Sequence, residues 1–153
     1  MLNFFRKKAI DLFSDEEKNI IVSAIQSAEH KTSGEVRVFI ESKCRFVNPL
    51  DRALELFPQL NMQNTAQRNA VLVYVAMKDR QLAVFGDEGI HQKVGDAFWN
   101  NAVKEMLLHF NKNNYAQGIS NIVLQIGEAL QQHFPYNAAT DINELPDDIV
   151  FGR

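Results

Sequence analysis

The sequence has 153 residues, 46% of them hydrophobic and 23% charged, which is enough to close the core of one domain and too short for two comfortable ones. Sixteen basic against 19 acidic side chains give a formal charge of -3, which argues against a bulk positive field for nucleic acid or a polybasic membrane binder. The single Cys44 rules out an intramolecular disulfide and a cysteine-rich zinc site. The N-terminal basic residues follow a very short apolar stretch, the reverse of a secretory signal. The longest purely apolar run, Ala70 to Met77, is far below the roughly 20 residues of a membrane helix. A cytoplasmic chain with no membrane span and no nucleic-acid partner is expected.

Ser14-Asp-Glu-Glu17 has the spacing of a capping box, and the following apolar residues recur at three- and four-residue intervals, so residues 15–30 are expected as a helix. Glu35 to Ser42 places Val36, Val38 and Ile40 on one face with charges flanking them, a strand pattern. Asn48-Pro49 reads as a cap and first turn for a helix over about 49–60. Ala70 to Ala76 is continuously apolar and β-branched, as in a strand covered on both faces. The polar break Lys78-Asp-Arg80 before Gln81 to Phe85 predicts an antiparallel hairpin.

Two helical stripes follow, one of Val94, Phe98, Ala102, Met106 and Phe110, the other from Ile119 to Phe134. The order predicts a three-layer α/β sandwich, Rossmann-like, with a mixed sheet and helices on both faces, the first two strands being parallel across a helical crossover. A helix bundle fails because residues 70–85 lack a 3.6 period. The domain is expected over 14–135, with an extension over 1–13 and an arm over 136–153. Ile142, Leu145, Ile149, Val150 and Phe151 make that arm too apolar for a tail without a role, and docking of Leu145 to Phe151 on its own domain is favoured over a partner contact.

Ser33-Gly-Glu-Val36, Gln67-Arg-Asn-Ala-Val-Leu-Val-Tyr-Val75, Asp79-Arg80 and Gly86-Asp-Glu-Gly-Ile90 resemble the TPM domain family, named for a thylakoid phosphatase, a photosystem-repair protein and a neuronal receptor auxiliary protein. The similarity runs from about Phe13 to Phe134, and the closing Leu-Pro-Asp-Asp-Ile-Val-Phe-Gly looks like the end of stand-alone bacterial members. The resemblance implies a Rossmann-like sandwich, divalent-cation binding, and a phosphatase activity attributed to some members.

Independently of that resemblance, the topology brings Glu35, Arg68, Asn69, Asp87 and Glu88 to one sheet edge. Carboxylates from separate segments with an amide oxygen suit a hard cation such as Ca²⁺ or Mg²⁺, so Glu35, Asp87 and Glu88 are candidate ligands, with Arg68 and Asn69 supporting. The competing reading is a structural network in which Arg68 pairs with Glu35 or Asp87. The opposite edge holds Asp51 and Asp79 as a second candidate pair, with Arg52 or Arg80 beside an anion, against plain helix-start and turn roles. Cys44 lacks a phosphate-cradling loop. His30, His91, His109 and His133 have no zinc spacing, and only His91 lies near the acidic edge. Trp99, one position off its stripe, is expected at the core edge, half exposed. The expected function is a divalent-cation-binding module, monomeric and acting through a protein partner; the alternative is a metal-assisted phosphatase for phosphate monoesters.

Overall fold

The computed structural model describes residues 8–137 and 148–152. A short 3-10 turn, Ala9–Leu12, precedes helix α1 (Asp15–Glu29). Both halves of the capping box form: the Glu17 amide donates to Ser14 Oγ at 3.1 Å, and the Ser14 amide donates to Glu17 Oε1 at 2.9 Å. Strand β1 (Glu35–Glu41), helix α2 (Pro49–Gln59), strand β2 (Ala70–Ala76) and strand β3 (Gln81–Gly86) follow. Helices α3 (Glu88–Val94), α4 (Asp96–Asn111) and α5 (Tyr115–His133) come next, and β4 (Val150–Phe151) closes the described chain.

The sheet order is β3-β2-β1-β4. β1 and β2 run parallel in the register Glu35 to Ala70 through Glu41 to Ala76, while β2 and β3 form the antiparallel hairpin. On one face Val36, Val38 and Ile40 of β1, with Val71, Val73 and Val75 of β2, share a core with α1, α4 and α5. On the other face Phe39, Leu72, Tyr74 and Ala83 pack with Ala53, Leu56 and Phe57 of α2. This is a three-layer α/β sandwich. All seven residues of β2 are buried, which is why its sequence shows no alternation.

All seven residues of β1 are buried, the charged Glu35, Arg37 and Glu41 included. Two expectations need correction. The Val94 stripe does not belong to one helix, because Gly95 adopts φ +79° between α3 and α4, a left-handed conformation that glycine takes without steric cost. Trp99 is buried rather than half exposed: its indole Nε1–H donates to His91 Nδ1 at 2.9 Å, a partner supplied by that extra short helix.

The two ends of the described chain join the same core. Ala9 and Phe13 pack into the α1 side. Val150 and Phe151 pair in parallel with Phe39 and Ile40, the Gly152 amide donates to the Ile40 carbonyl at 2.8 Å, and Ile149 is buried. The C-terminal arm therefore docks on its own sheet over 149–152, while Ile142 and Leu145 lie outside the described residues.

Candidate functional site

The amino ends of β1 and β2 and the carboxyl end of β3 make the first edge. Asp87 caps α3, its Oδ1 accepting the Glu88 amide at 2.8 Å, while its own amide donates to the Ala70 carbonyl. This fixes the carboxylate at a helix start, where the axial dipole favours negative charge. Arg68 grips it from the β2 approach, Nε to Oδ2 at 2.6 Å and Nη2 to Oδ1 at 2.8 Å, and reaches Glu88 Oε1 with Nη1 at 3.2 Å. The hydrogen bonds to Asp87, reinforced by the charges of Asp87 and Glu88, hold the guanidinium pKa above its ordinary value.

The corner is tight in its backbone as well. Arg68 has φ 52°, and its carbonyl accepts the Gly89 amide at 2.8 Å. A Cβ on residue 89 would stand 2.1 Å from the Gln67 carbonyl oxygen and 2.6 Å from that of Arg68, so this close approach requires glycine. Asp87 is 3% exposed, whereas the Glu88 side chain is open to solvent.

Asn69, 1% exposed, donates from Nδ2 to Ser33 Oγ at 3.3 Å, and its carbonyl accepts the Glu35 amide. Its side-chain Oδ1 is buried without a hydrogen-bond partner, an uncommon state for an amide oxygen. Glu35, 2% exposed, sits on β1, one strand removed from β3 across β2. Its charge acts on Arg37, where burial lowers the guanidinium pKa and Glu29 and Glu35 oppose that shift. Arg68, Asp87 and Glu88 are thus brought into direct contact, Asn69 lies at the same edge, and Glu35 belongs to a neighbouring charge group. Among the described residues no three histidine, cysteine or carboxylate side chains gather as metal ligands.

The second edge is organised differently from the expectation. Asp79 Oδ2 accepts the Cys44 amide at 2.8 Å and ties the β1–α2 loop to the hairpin turn, in which Arg80 has φ 51°. Asp51 is an exposed first-turn residue of α2. Arg52 is committed to Glu41 through Nε at 2.9 Å and Nη2 at 3.0 Å, and to Glu55 at 3.3 Å. The buried Tyr74 hydroxyl donates to the same Glu41 carboxylate. Burial, followed by this hydrogen bond, pushes the Tyr74 phenol far above its ordinary pKa.

Sequence reasoning missed the Glu41–Arg52–Tyr74 cluster. Its signal was present: Glu35, Arg37, Phe39 and Glu41 alternate on one face of β1, so Glu41 points into the layer that α2 enters with Arg52 in its first turn.

The TPM domain family model matches residues 7–129. The chain belongs to the TPM domain family. Both sheet edges of this TPM domain lie inside the matched span, and β4 lies beyond it. A similar solved structure is the NMR structure of the BA42 protein from the psychrophilic bacterium Bizionia argentinensis, at 39% identity over 90% of this chain and 94% of that one, with a TM-score of 0.81. The N-terminal domain of a P. gingivalis protein shares the fold at 19% identity, covering 82% of this chain and 83% of that one, with a TM-score of 0.65. The N-terminal domain of the cg2496 protein from Corynebacterium glutamicum does so at 14% identity, covering 86% and 81%, with a TM-score of 0.63. No curated protein matches the chain. Among the described residues, no helix is long and apolar enough to cross a membrane.

Proposed function

We propose that this TPM domain is a divalent-cation-binding module that works through a protein partner and takes Ca²⁺ or Mg²⁺ at the edge of Asp87 and Glu88. The observation that supports it is the convergence of two carboxylates on one cation, the Arg68 guanidinium, at the edge where the Asn69 Oδ1 is buried without a hydrogen-bond partner. Two carboxylates and an amide oxygen are the hard donors such ions take, with waters completing the shell. Arg68 is the resident cation of the ligand-free domain, and a divalent ion exchanges with it. The guanidinium then moves into solvent, to which 43% of its side chain is already open. Glu35 adds negative charge from one strand away. Competition with Arg68 and the small number of protein ligands place the affinity in the weak range, with Kd on the order of 10⁻⁴–10⁻³ M.

Calorimetry on two variants tests this reading. Arg68→Gln removes the competing cation and strengthens Mg²⁺ binding, whereas Asp87→Asn abolishes it. Absence of binding in both the parent and Arg68→Gln, with the fold retained, overturns the proposal. Metal-assisted hydrolysis of phosphate monoesters is the lower-ranked reading, because it needs a clamped phosphate and an activated water, while Arg68 and Arg52 are each engaged with carboxylates. Hydrolysis of an aryl phosphate that requires Mg²⁺ and disappears in Asp87→Asn reverses the ranking.

A further inference from the structure

Helices α4 and α5 leave an open seam between them. Two hollows along it, of about 240 and 440 Å³, share Glu105 and Gln125 and so form one groove. From α4 it is lined by Phe98, Ala102, Glu105 and His109, and from α5 by Asn121, Gln125, Glu128 and Gln132, in both cases at steps of four, three and four residues, so each helix gives the groove one face. The span from Phe98 to His109 is about 16 Å, or three helical turns. The other flank of α5 is closed against α1, where a Cβ on residue 127 would stand 2.6 Å from that of Ala28.

Two properties of the groove bear on what it takes. Ala102, Met106 and Ile122 form a buried apolar floor, and exposed leucines stand along the rim: Leu124 is 40% exposed, and Leu108, on the same α4 face as Glu105 three residues before it, is 63% exposed. Large apolar side chains grouped along a groove, rather than scattered singly, mark an interaction surface. The charge of the lining has one sign. Glu105 and Glu128 are both exposed, no lysine or arginine lines either hollow, and neither carboxylate is ion-paired among the described residues. Glu105 accepts a hydrogen bond from the Gln125 amide, a neutral partner that leaves its charge uncompensated. α5 has no lysine or arginine at all, and Lys104 of α4 lies outside the lining.

We propose that this groove docks a basic amphipathic helix of a protein partner. This rests on the reading of the domain as a module that acts through a partner, and it adds that partner's chemistry and the surface it uses. A third helix packs into the seam between two others ridge into groove and satisfies its own backbone polar groups. Its apolar face meets Leu124, Leu108 and Phe98, and its lysines or arginines reach Glu105 and Glu128 across the rim. A second copy of this chain is a poor occupant, because each described helix carries at most one lysine or arginine and none brings two cations to the two glutamates. Rim charges of this kind act mainly on association rate, salt dependence and partner choice, while the leucines supply the buried contact.

The experiment is titration of the full chain with a helical peptide repeating LKKLLKL twice, followed by backbone amide shifts at low and at physiological salt. Saturable shifts along Phe98 to His109 and Asn121 to Gln132 are expected, with affinity weakened several-fold by the added salt. Glu105→Gln combined with Glu128→Gln weakens binding at least tenfold at low salt, and Leu124→Ser, a change at an exposed site that spares the fold, weakens it about three- to tenfold. The same peptide with glutamate in place of lysine gives no shifts. Asp87→Asn leaves peptide binding unchanged, and Mg²⁺ shifts the amides around Asp87, so failure here is distinguishable from failure of the cation reading. Three results overturn the proposal: no shift with the lysine peptide, or shifts outside the groove; equal binding of the glutamate peptide; or concentration-dependent shifts of the groove amides without any peptide, which make the seam a contact between copies of this chain.

Discussion

Replacing Glu41 with alanine removes the acceptor shared by Arg52 and Tyr74. The Tyr74 hydroxyl, buried beneath α2, is left without that acceptor, at a cost of about 1–3 kcal/mol. Arg52 also loses a bidentate partner. Its side chain is 21% exposed and retains Glu55 at 3.3 Å, so this part is well below the 3–5 kcal/mol of a fully buried pair. Together these give a loss of roughly 3 kcal/mol, which at about 2–4 °C per kcal/mol for a domain of this size lowers Tm by roughly 6–12 °C.

Urea unfolding of a double-mutant cycle isolates the tyrosine contribution. Tyr74→Phe alone costs about 1 kcal/mol, but added to Glu41→Ala it costs nothing further, because phenylalanine leaves no orphaned hydroxyl. The expected coupling is about 1 kcal/mol. Additivity of the two changes within about 0.5 kcal/mol refutes the reasoning and makes the contact energetically idle.

The same phenol imposes a pH dependence: its folded pKa lies above the unfolded value of about 10. Its contribution is therefore complete below that pH and declines as the pH rises above it; urea midpoints between pH 9 and 11 fall less steeply in Tyr74→Phe. Gly89→Ala forces a Cβ against two carbonyl oxygens and destabilises by about 3 kcal/mol or more, read as a fall in Tm together with shifted amides at Arg68 and Asp87. Ending the chain before residue 148 removes β4 and buried Ile149, a loss of roughly 2–3 kcal/mol from that side chain's burial. An unchanged Tm contradicts docking of the arm.

Elements whose signals are local were legible in the sequence. The capping box at Ser14 and Glu17 forms both of its bonds, and the continuous apolar run over 70–76 is the interior strand that its β-branched composition implies. The parallel pairing followed from the length of the crossover alone. A two-residue strand has no period to read, so β4 shows in the sequence only as an excess of apolar side chains in the arm. Gly95 looks like a tolerable interruption of a helical stripe, and only its positive φ turns it into a boundary. Topology placed Arg68, Asp87 and Glu88 at one edge, but which arginine takes which carboxylate depends on side-chain reach. That choice gives Arg68 to Asp87 and Glu88, leaves Glu35 acting on Arg37, and spends Arg52 on Glu41.

Titration of the full chain with Mg²⁺, followed by backbone amide shifts at every residue, tests the cation reading most directly. Millimolar-range, saturable shifts are expected, centred on Arg68, Asn69, Asp87 and Glu88, with smaller changes at Glu35 and movement of the Arg68 Nε–H resonance as the guanidinium is displaced. Shifts confined to Asp51, Asp79 and the β1–α2 loop, or none at any concentration, contradict it.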